Sequence, residues 1–355
     1  MTAEPLRAPA PTPARRTLAA RDYWDPDVHA AERASIFGRE WLCLGSSAAV
    51  RAPGGYVAEV VVGWPVVVVR DAEGVLRAFH NVCRHRAGPL VDDGEGTCRS
   101  FVCRYHGWSY ELDGALRSAR DAGLAPEDLD GLGLLELRVA EWRGLLFVSI
   151  DADGPGIEEW LSAGFIAQCD AFPIEAWTPV VRQTHELACN WKTYSDNYLE
   201  GYHIPFVHPA LARAIDPSSY EVHVEDGWIR HSATTREGAS TSGVWLYHWP
   251  NLALNLYERG MSVERWLPTG PTTCDLVLDY CFADTADDAA ADNQRDIDAS
   301  TQTCREDTAI CEAVQRNLVA GAYVDGLLAP RHEAGVADFQ ARVLRQREPR
   351  ASGVV

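Results

Sequence analysis

Two short groups of cysteine and histidine constrain this chain more than any other feature. The first is Cys83-Arg-His85 and the second, after seventeen residues, is Cys103-Arg-Tyr-His106. Each group offers one thiolate and one imidazole, so folding the two together creates a Cys₂His₂ metal site. Zinc fingers usually pair cysteine with cysteine and histidine with histidine. The mixed order instead favours a [2Fe–2S] cluster with both cysteines on one iron and both histidines on the other.

The residues that follow each group agree with this interpretation. Gly88-Pro89 follows the first group and Gly107-Trp108 follows the second. Glycine there lets backbone amides approach the sulfides of a cluster, and such hydrogen bonds raise the reduction potential. The pattern resembles the Rieske cluster motif, C-x-H followed by C-x₂-H. A zinc clip is the alternative, although the mixed order is unusual for zinc.

Length and composition limit the classes of protein that fit. A chain of 355 residues predicts about two domains, and its 46% hydrophobic and 23% charged residues are ordinary for a soluble globular protein. No apolar run approaches about 18 residues, so we expect no membrane span. The net charge of −19 argues against nucleic acid as a partner. It is compatible with a cationic substrate or a basic redox partner, although acidic surfaces usually serve solubility alone.

The cysteines outside the two groups predict a reducing compartment. No secretory leader is visible, because residues 1–16 are rich in alanine and proline and lack an apolar segment. We therefore expect a cytoplasmic protein whose remaining cysteines are reduced and mostly buried. These are Cys43, Cys98, Cys169, Cys189, Cys274, Cys281, Cys304 and Cys311.

The order of patterns along the chain predicts an α+β protein with two domains. Asp25-Pro26 begins a short helix, and from Trp41 the apolar period changes to two, which is typical of strands. Asp151-Ala-Asp-Gly-Pro-Gly156 is the clearest boundary, and an antiparallel sheet packed against helices is expected beyond it. The expected units are a disordered tail (1–20), an N-terminal helix packing on the second domain (21–40), an all-β cluster domain (41–155), the second domain (156–325) and a C-terminal tail with room for a short helix (326–355).

A second metal site is predicted in the second domain. A helix is expected from Asn190 to about Tyr202, and it would present Asp196, Glu200 and His203 on one face. Pro205 should end the helix near His203, so that His208 returns on a loop to the same ion. Two histidines require one carboxylate to complete the facial triad of a non-heme Fe(II) oxygenase, which leaves coordination positions open for O₂.

Asp307 is the candidate for that carboxylate. It lies in a predicted long helix over about residues 286–318, on a stripe that is otherwise apolar, where an unpaired carboxylate would be costly. Glu306 and Glu312 are expected to be ordinary solvated charges. Taken singly, His203 and His208 are as often core histidines as ligands, and Asp307 would more often be a surface or capping residue. A chain that already carries an electron-transfer cluster favours the three together, because O₂ activation needs single electrons.

With both sites in view, the chain resembles the catalytic α subunit of Rieske non-heme iron oxygenases over about residues 20–320. The segments Asn190-Trp-Lys and Asp196-Asn-Tyr-Leu-Glu200, the two histidines, and Glu306-Asp-x-x-Ile-Cys-Glu are similar to the branch of choline monooxygenase and carnitine or betaine oxygenases. The resemblance implies an all-β [2Fe–2S] domain and a catalytic domain of the helix-grip, START-like type.

The resemblance also implies roles and partners. Cys83, His85, Cys103 and His106 would hold the cluster, and His203, His208 and Asp307 would hold the catalytic iron. Glu200 would bridge His203 to His106 of a neighbouring subunit in a ring-shaped homotrimer. Electrons would come from NAD(P)H through a separate flavin/iron–sulfur reductase, with or without a ferredoxin. No G-x-G-x-x-G unit in this chain predicts binding of the nicotinamide itself.

An aromatic stripe bears on the substrate. Trp245, Tyr247 and Trp249 alternate and so share one face of a strand, and Tyr202, Tyr257, Trp266 and Tyr280 are candidates to lie near it. An aromatic cage binds quaternary ammonium groups, although aromatic rings more often form core. Together with the resemblance to the choline and carnitine branch, the aromatic stripe favours hydroxylation or N-demethylation of a methylated ammonium or amine substrate.

Three alternatives remain open at this point. The first is hydroxylation or cis-dihydroxylation of an aromatic ring by the same metal sites. The second is a Rieske electron carrier without catalysis, which a chain of this length disfavours because a carrier needs only about 100 residues. The third is a zinc-stabilised binding module.

Overall fold

A computed structural model describes residues 15–236 and 243–347. The predicted tails therefore lie partly outside the described residues, at 1–14 and at 348–355. Within the part of the chain that is described, no helix is both long and apolar enough to cross a membrane.

The first domain is built on a seven-stranded antiparallel sheet with the order β1-β10-β9-β4-β3-β2-β5 and a small three-stranded sheet, β6-β7-β8. Strand β3 lies between β4 and β2, and its Val66 to Val69 are all buried, because both faces of the sheet are covered. The strands are β1 Trp41–Ser46, β2 Gly55–Val61, β3 Trp64–Arg70, β4 Leu76–His80, β5 Gly94–Thr97, β6 Phe101–Val102, β7 Ser109–Tyr110, β8 Leu116–Ser118, β9 Glu136–Trp142 and β10 Leu145–Ser149.

The second domain is a seven-stranded antiparallel sheet with the order β11-β17-β16-β15-β14-β13-β12. Its strands are β11 Thr178–Leu187, β12 Glu221–Glu225, β13 Trp228–Ser232, β14 Gly243–His248, β15 Leu252–Tyr257, β16 Gly260–Gly270 and β17 Thr273–Phe282. Asp226-Gly227 joins β12 to β13, with Gly227 at a φ of +90°, which glycine adopts without strain. The α+β fold class predicted from the sequence is confirmed.

Helices cover both faces of this second sheet. They are α1 Pro26–Glu32 before the first domain, and then α2 Ile157–Cys169, α3 Trp191–Tyr198, α4 Ile204–Val207, α5 Pro209–Ala214, α6 Ala290–Val319 and α7 Ala334–Arg347. Helix α1 begins at the cap residue Asp25, whose carboxylate accepts from the N–H of Asp27 at 2.8 Å. Phe37, just after α1, packs on the ring of Trp191 in α3 at 4.9 Å, which attaches the N-terminal segment to the second domain.

Two arginines, buried Arg265 and the more exposed Arg182, join the two domains. The guanidinium of Arg265 on β16 donates to the backbone oxygen of Cys43 on β1 at 2.9 Å and pairs with Asp279 at 3.2 Å. Arg182 on β11 donates to the oxygen of Leu44 at 2.8 Å and also pairs with Asp279. Because these donors reach backbone oxygens of the neighbouring domain, the two sheets are held in one arrangement.

The ends of the chain differ from the predicted tails. Helix α7 is part of the core: Phe339 packs on Trp191 at 5.4 Å and on Trp249 at 5.6 Å. The N–H of Leu18 donates to the side-chain oxygen of Gln340 at 2.8 Å. The prediction of tails is therefore wrong for residues 15–20 and 334–347. The sequence offers only a weak apolar pattern there, and these residues are fixed by contacts with segments far away in the chain.

Candidate metal centres

The predicted cluster ligands lie on two loops with the same backbone hydrogen bonds. The N–H of Cys83 donates to the oxygen of Gly88 at 2.8 Å, and the N–H of Cys103 donates to the oxygen of Trp108 at 2.8 Å. Four residues after each cysteine the backbone is left-handed, at Ala87 (φ +55°) and at Gly107 (φ +74°). The two loops therefore present their cysteines in matching positions, with the histidine two residues later in the first loop and three residues later in the second.

Burial divides the four ligands into two pairs. Cys83 and Cys103 are buried, whereas His85 and His106 are exposed, with ring centroids 4.5 Å apart. Trp108 stacks on His85 at 4.8 Å and fixes the orientation of that ring. A cluster with sulfur ligands on its inner iron and imidazole ligands on its outer iron fits this arrangement. A Cβ added to Gly88 would lie 2.8 Å from the sulfur of Cys103, so glycine is required for the loops to approach.

The second group of ligands comes from three elements. His203 precedes α4, His208 follows it, and Asp307 lies in α6. The Nε2 atoms of the two histidines are 3.1 Å apart, and Asp307 Oδ1 lies 2.9 Å from His208 Nε2 and 3.6 Å from His203 Nε2. Among the residues described, these three form the group of ligand atoms that could share one ion.

The partners of the other ring nitrogens show that this group fits a metal. The Nδ1 of His203 lies 2.6 Å from Glu200 Oε1, and the Nδ1 of His208 lies 2.8 Å from Glu306 Oε2. Each Nδ1 therefore carries the proton, and each Nε2 turns a lone pair toward the other histidine and toward Asp307. Three sets of lone pairs facing one point repel one another unless a cation lies between them. Two imidazoles and one carboxylate are the donor set of a non-heme Fe(II) site.

Two residues of this site were missed from the sequence. Glu306 contacts His208, so the prediction that it is an ordinary solvated charge is wrong; Glu312 also has a partner, the N–H of Ala188 at 3.0 Å. Asn197 donates to Asp307 Oδ1 at 2.6 Å and orients that carboxylate. The Asp-Asn-Tyr segment was visible in the sequence, but its asparagine has a role only once α3 is packed beside α6.

The predicted helical face of Asp196, Glu200 and His203 is wrong. Helix α3 ends at Tyr198, so Asp196 and Glu200 do not share a face with His203. Asp196 instead accepts from the hydroxyl of Tyr23 at 2.5 Å and from Gln340 at 3.0 Å, away from the ligands. Burial above all raises the pKa of Asp196 to about 7. Asp196 thus ties α3 to the two ends of the chain, whereas Glu200 reaches His203 from a turn.

The aromatic candidates separate into different surroundings. Trp249 packs on Trp191 and Phe339, and Tyr247 stacks on Trp266 at 5.9 Å, so these two rings belong to the core under α7. Trp245 donates from Nε1 to the hydroxyl of Tyr257 at 3.0 Å on the neighbouring strand. The structure therefore brings Trp245 and Tyr257 together, and it places Trp249 and Tyr247 in different surroundings.

The remaining aromatic candidates, Tyr202 and Tyr280, lie outside both pairs. Tyr202 is about half exposed and stacks on His332 at 4.6 Å, so it lies at the surface. Tyr280 on β17 is buried, and its hydroxyl is 3.1 Å from the hydroxyl of Ser300 in α6.

A polar row runs across the second sheet on the face toward α3 and α6. His231, Trp245, Asn255 and Ser262 are directly paired across β13, β14, β15 and β16, so their side chains share one face. Glu264, two residues after Ser262, lies on the same face. Sequence reasoning singled out only Trp245 in this row, because the pairing register is not visible in a sequence.

Glu264 is a buried carboxyl group with neutral partners. It accepts from the hydroxyl of Tyr194 at 2.6 Å and from the amide of Asn255 at 3.0 Å. No lysine or arginine of residues 15–236 and 243–347 forms an ion pair with it. Burial, and to a smaller extent the charge of Asp307, raises the pKa of Glu264 to about 7, against the effect of its hydrogen bonds.

Both domains match known family models. The model of the Rieske [2Fe–2S] domain matches residues 40–126. The model of the ring hydroxylating α subunit (catalytic domain) matches residues 174–244 and 229–348. The chloroplastic choline monooxygenase of Beta vulgaris is 32% identical over 341 residues, which cover 89% of this chain and 74% of that protein. The oxygenase subunit of carnitine monooxygenase from Escherichia coli (strain K12) is 30% identical, with 86% and 85% covered.

Solved structures agree with the sequence relatives. A quaternary ammonium Rieske monooxygenase in complex with L-carnitine has a TM-score of 0.84 and 26% identity, and the match covers 94% of this chain and 96% of that one. Naphthalene 1,2-dioxygenase bound to phenanthrene has a TM-score of 0.75 at 20% identity, which shows a common fold.

These matches define the class of protein: an oxygenase with a Rieske domain and a ring-hydroxylating type of catalytic domain. The chain belongs to the Rieske oxygenase α-subunit family, and it is related to the choline and carnitine monooxygenases. The predicted family and its branch are confirmed. The zinc-stabilised module is excluded by the Rieske match, and the electron carrier by the complete catalytic domain.

Proposed function

We propose that this enzyme uses O₂ to hydroxylate or N-demethylate a small quaternary ammonium compound. The buried carboxyl group of Glu264 is the observation that carries the proposal, because no basic side chain among the described residues pairs with it. Four carboxyl groups, those of Glu200, Glu264, Glu306 and Asp307, surround the two ligand histidines or lie close to them. A divalent iron balances at most two of these charges. A cationic substrate therefore gains more from this environment than a neutral one.

Aromatic rings beside Glu264 add to this preference. Tyr194 and Tyr198 each lie 5.3 Å from the ring of Trp266, and the hydroxyl of Tyr198 donates to Asn255 at 2.6 Å. Ring faces next to a carboxyl group are the surroundings that favour a methylated ammonium group. The relatives described above are monooxygenases of choline and of carnitine, two compounds that share that group.

The metal sites supply the redox chemistry. Cys83, His85, Cys103 and His106 would hold a [2Fe–2S] cluster, and His203, His208 and Asp307 would hold Fe(II). When bound, the cluster supplies single electrons and the Fe(II) supplies open positions for O₂. The contribution of the chain is to hold the Nδ1 protons of the two histidines with Glu200 and Glu306, and to orient Asp307 with Asn197.

The source of electrons and the assembly are part of the proposal. We infer that electrons come from NAD(P)H through a separate flavin/iron–sulfur reductase and enter the cluster domain at its exposed His85. We also propose a homotrimer in which Glu200 connects His203 to His106 of the neighbouring subunit. Support comes from the exposure of both cluster histidines. It also comes from a solved relative, a quaternary ammonium Rieske monooxygenase whose structure gave insights into inter-subunit electron transfer in that protein.

The decisive test is coupled oxidation of matched substrates. The enzyme with both metals loaded would receive NADH and a flavin/iron–sulfur reductase, and oxygen uptake and products would be followed by mass spectrometry. Choline would be compared with 3,3-dimethyl-1-butanol, in which carbon replaces the charged nitrogen at the same size. We expect kcat/KM to favour the cation by about 100-fold, the value of a well-desolvated charge interaction. Coupled oxidation of simple aromatic acids and hydrocarbons alone would contradict the proposal.

The pH dependence tests Glu264 directly. Its folded pKa is raised to about 7, so the carboxylate form gains population as the pH rises through that value. Affinity for the cation should rise over this range, and Glu264→Gln should make it independent of pH and lower on the alkaline side. The exposed Asp298 provides the control, because Asp298→Asn removes a solvated charge from α6. Equal pH profiles for the wild type and Glu264→Gln would contradict this role.

A further inference from the structure

A buried histidine on the polar row has a ring nitrogen without a partner. His231 on β13 is 1% exposed, and its Nδ1 lies 2.9 Å from the hydroxyl of Tyr220. Its Nε2 has no hydrogen-bond partner in the described part of the chain, although that atom is buried. A buried polar atom left unpaired costs about 1–3 kcal/mol, so such an atom usually has a ligand or a water as its partner.

The contact with Tyr220 determines what Nε2 offers. Within residues 15–236 and 243–347 the Tyr220 hydroxyl has no acceptor other than Nδ1 of His231, so donation to Nδ1 is the arrangement that satisfies its hydrogen. Burial, and then the nearby His203, lowers the pKa of His231 to about 3, so the ring is neutral at pH 7. A neutral imidazole that accepts at Nδ1 carries its proton at Nε2. The unpaired atom is therefore an N–H donor.

The position of this donor connects it to the catalytic site. Tyr198 meets the His231 ring edge-to-face at 5.8 Å, and Tyr198 ends the helix that leads to Glu200 and His203. Glu264 is on the same sheet face, three strands away on β16. Three strands correspond to about 14 Å, so Glu264 adds negative charge to the surroundings of a small substrate, whereas His231 offers a neutral donor near the iron ligand His203.

We propose that the Nε2–H of His231 is the hydrogen-bond donor that binds the hydroxyl or carboxylate oxygen of the substrate. The inference rests on the proposed function, since it assigns one end of the quaternary ammonium compound. His231 is then a specificity-determining residue, and Tyr220 is a positioning residue that holds its ring in the donor tautomer. The substrate class narrows to ammonium compounds that carry an accepting oxygen a few bonds from the nitrogen.

The test uses three quaternary ammonium compounds that differ in the oxygen. Choline carries a hydroxyl group, glycine betaine a carboxylate, and propyltrimethylammonium is the analogue of choline without oxygen. Binding to the metal-loaded enzyme by calorimetry and kcat/KM by coupled oxygen uptake would be measured for the wild type and for His231→Leu. We expect a loss of about 10-fold for choline and up to about 100-fold for the carboxylate, and little change for propyltrimethylammonium.

Further variants separate binding from folding. His231→Gln keeps an N–H donor and should retain most of the preference for oxygen-bearing compounds, so it decides the question if His231→Leu does not fold. Tyr220→Phe should give an intermediate loss, because the ring can then invert its tautomer. His223→Leu, at an exposed histidine on β12, is the matched control and should change neither affinity nor turnover.

The outcomes distinguish this inference from the proposed function. An equal loss for all three compounds in His231→Leu would show a structural role and overturn the inference alone. Wild-type preference for propyltrimethylammonium over choline would also overturn it while leaving the ammonium specificity intact. If the wild type binds and oxidises none of the three, the proposed function fails and the inference fails with it.

Discussion

The two proposed metal sites of this enzyme are built in opposite ways. The cluster ligands lie within residues 83–106, on two loops that repeat one backbone pattern, and its histidines are exposed. The iron ligands come from residues 203–307, on three elements, and two of them are buried. Outer carboxylates hold both iron-site histidines, whereas backbone geometry and ring stacking hold the cluster loops.

This difference indicates where each site is vulnerable. A local site made by two loops depends on how closely their backbones approach, so a small added group disrupts it. A site assembled from distant elements depends on side chains that fix ligand orientation, so loss of one carboxylate weakens it. Variants at each site should therefore affect one metal and leave the other in place.

Removal of the distant carboxylate should have the largest effect. Asp307→Ala deletes the anionic ligand, so we expect loss of the mononuclear iron. Turnover should fall by more than roughly 100-fold, which is the loss expected when a residue that only hydrogen-bonds a ligand is removed. Iron analysis and the spectrum of the cluster would be measured together, and the cluster should be unchanged. Asp298→Ala in the same helix is the control and should retain both metals. Retention of the catalytic iron by Asp307→Ala would refute the triad.

The cluster site should break at a glycine. In Gly88→Ala the new Cβ would lie 2.8 Å from the sulfur of Cys103 and 3.2 Å from the Cβ of Tyr105. We expect the variant to contain less than about half of the cluster found in the wild type, because overpacking of this kind costs about 1–3 kcal/mol. Visible absorption and acid-labile sulfide report the cluster, and the mononuclear iron should remain. Gly156→Ala, where nothing lies within 4 Å of an added Cβ, should behave as the wild type.

Loss of charge at Glu306 should weaken the iron site without abolishing it. Glu306→Gln keeps an acceptor for the Nδ1–H of His208 but removes the carboxylate that makes the imidazole more basic. We expect iron affinity to fall about 10- to 100-fold, measured by competition with a chelator. The same change farther along α6, Glu312→Gln, affects a side chain whose partner is the Ala188 N–H and should leave iron affinity unchanged. If both variants bind iron equally well, the contact with His208 is incidental.

The contrast between the sites also explains what the sequence could predict. The candidate cluster ligands could be predicted because their spacing is local and their residue types are unusual. His203 and His208 were recognisable for the same reason, and Asp307 because a carboxylate on an apolar helix stripe requires a partner. The change to an apolar period of two at Trp41 is confirmed, because strand β1 begins at that residue.

What was missed depends on contacts between distant segments. Glu306 looked like a solvated charge because its partner is 98 residues away, on a turn whose position relative to α6 no periodicity specifies. The predicted helix runs past its true end at Tyr198, because Glu200 leaves the helix to reach His203. His231 and Glu264 share a face only through the register of four strands. Helix α7 was predicted as part of a tail because its buried contacts are with residues near 20 and 190.

The smallest expected effect concerns the potential of the cluster. The Tyr110 hydroxyl accepts from the N–H of Arg84 at 3.0 Å and lies 3.3 Å from the sulfur of Cys83, so its own hydrogen is free to donate to that thiolate. Such a bond stabilises the more negative, reduced cluster. One hydrogen bond of about 1 kcal/mol corresponds to about 40 mV for one electron, so Tyr110→Phe should lower the reduction potential by that amount.

A redox titration followed by electron paramagnetic resonance would measure this shift. Tyr105→Phe is the matched control, because the Tyr105 side chain is exposed and, among the residues described, its hydroxyl has no partner. An equal shift in both variants would show that the hydrogen bond does not tune the cluster. A shift in Tyr110→Phe alone, with iron content and substrate affinity unchanged, would show that this hydrogen bond adjusts the cluster potential without changing the iron site.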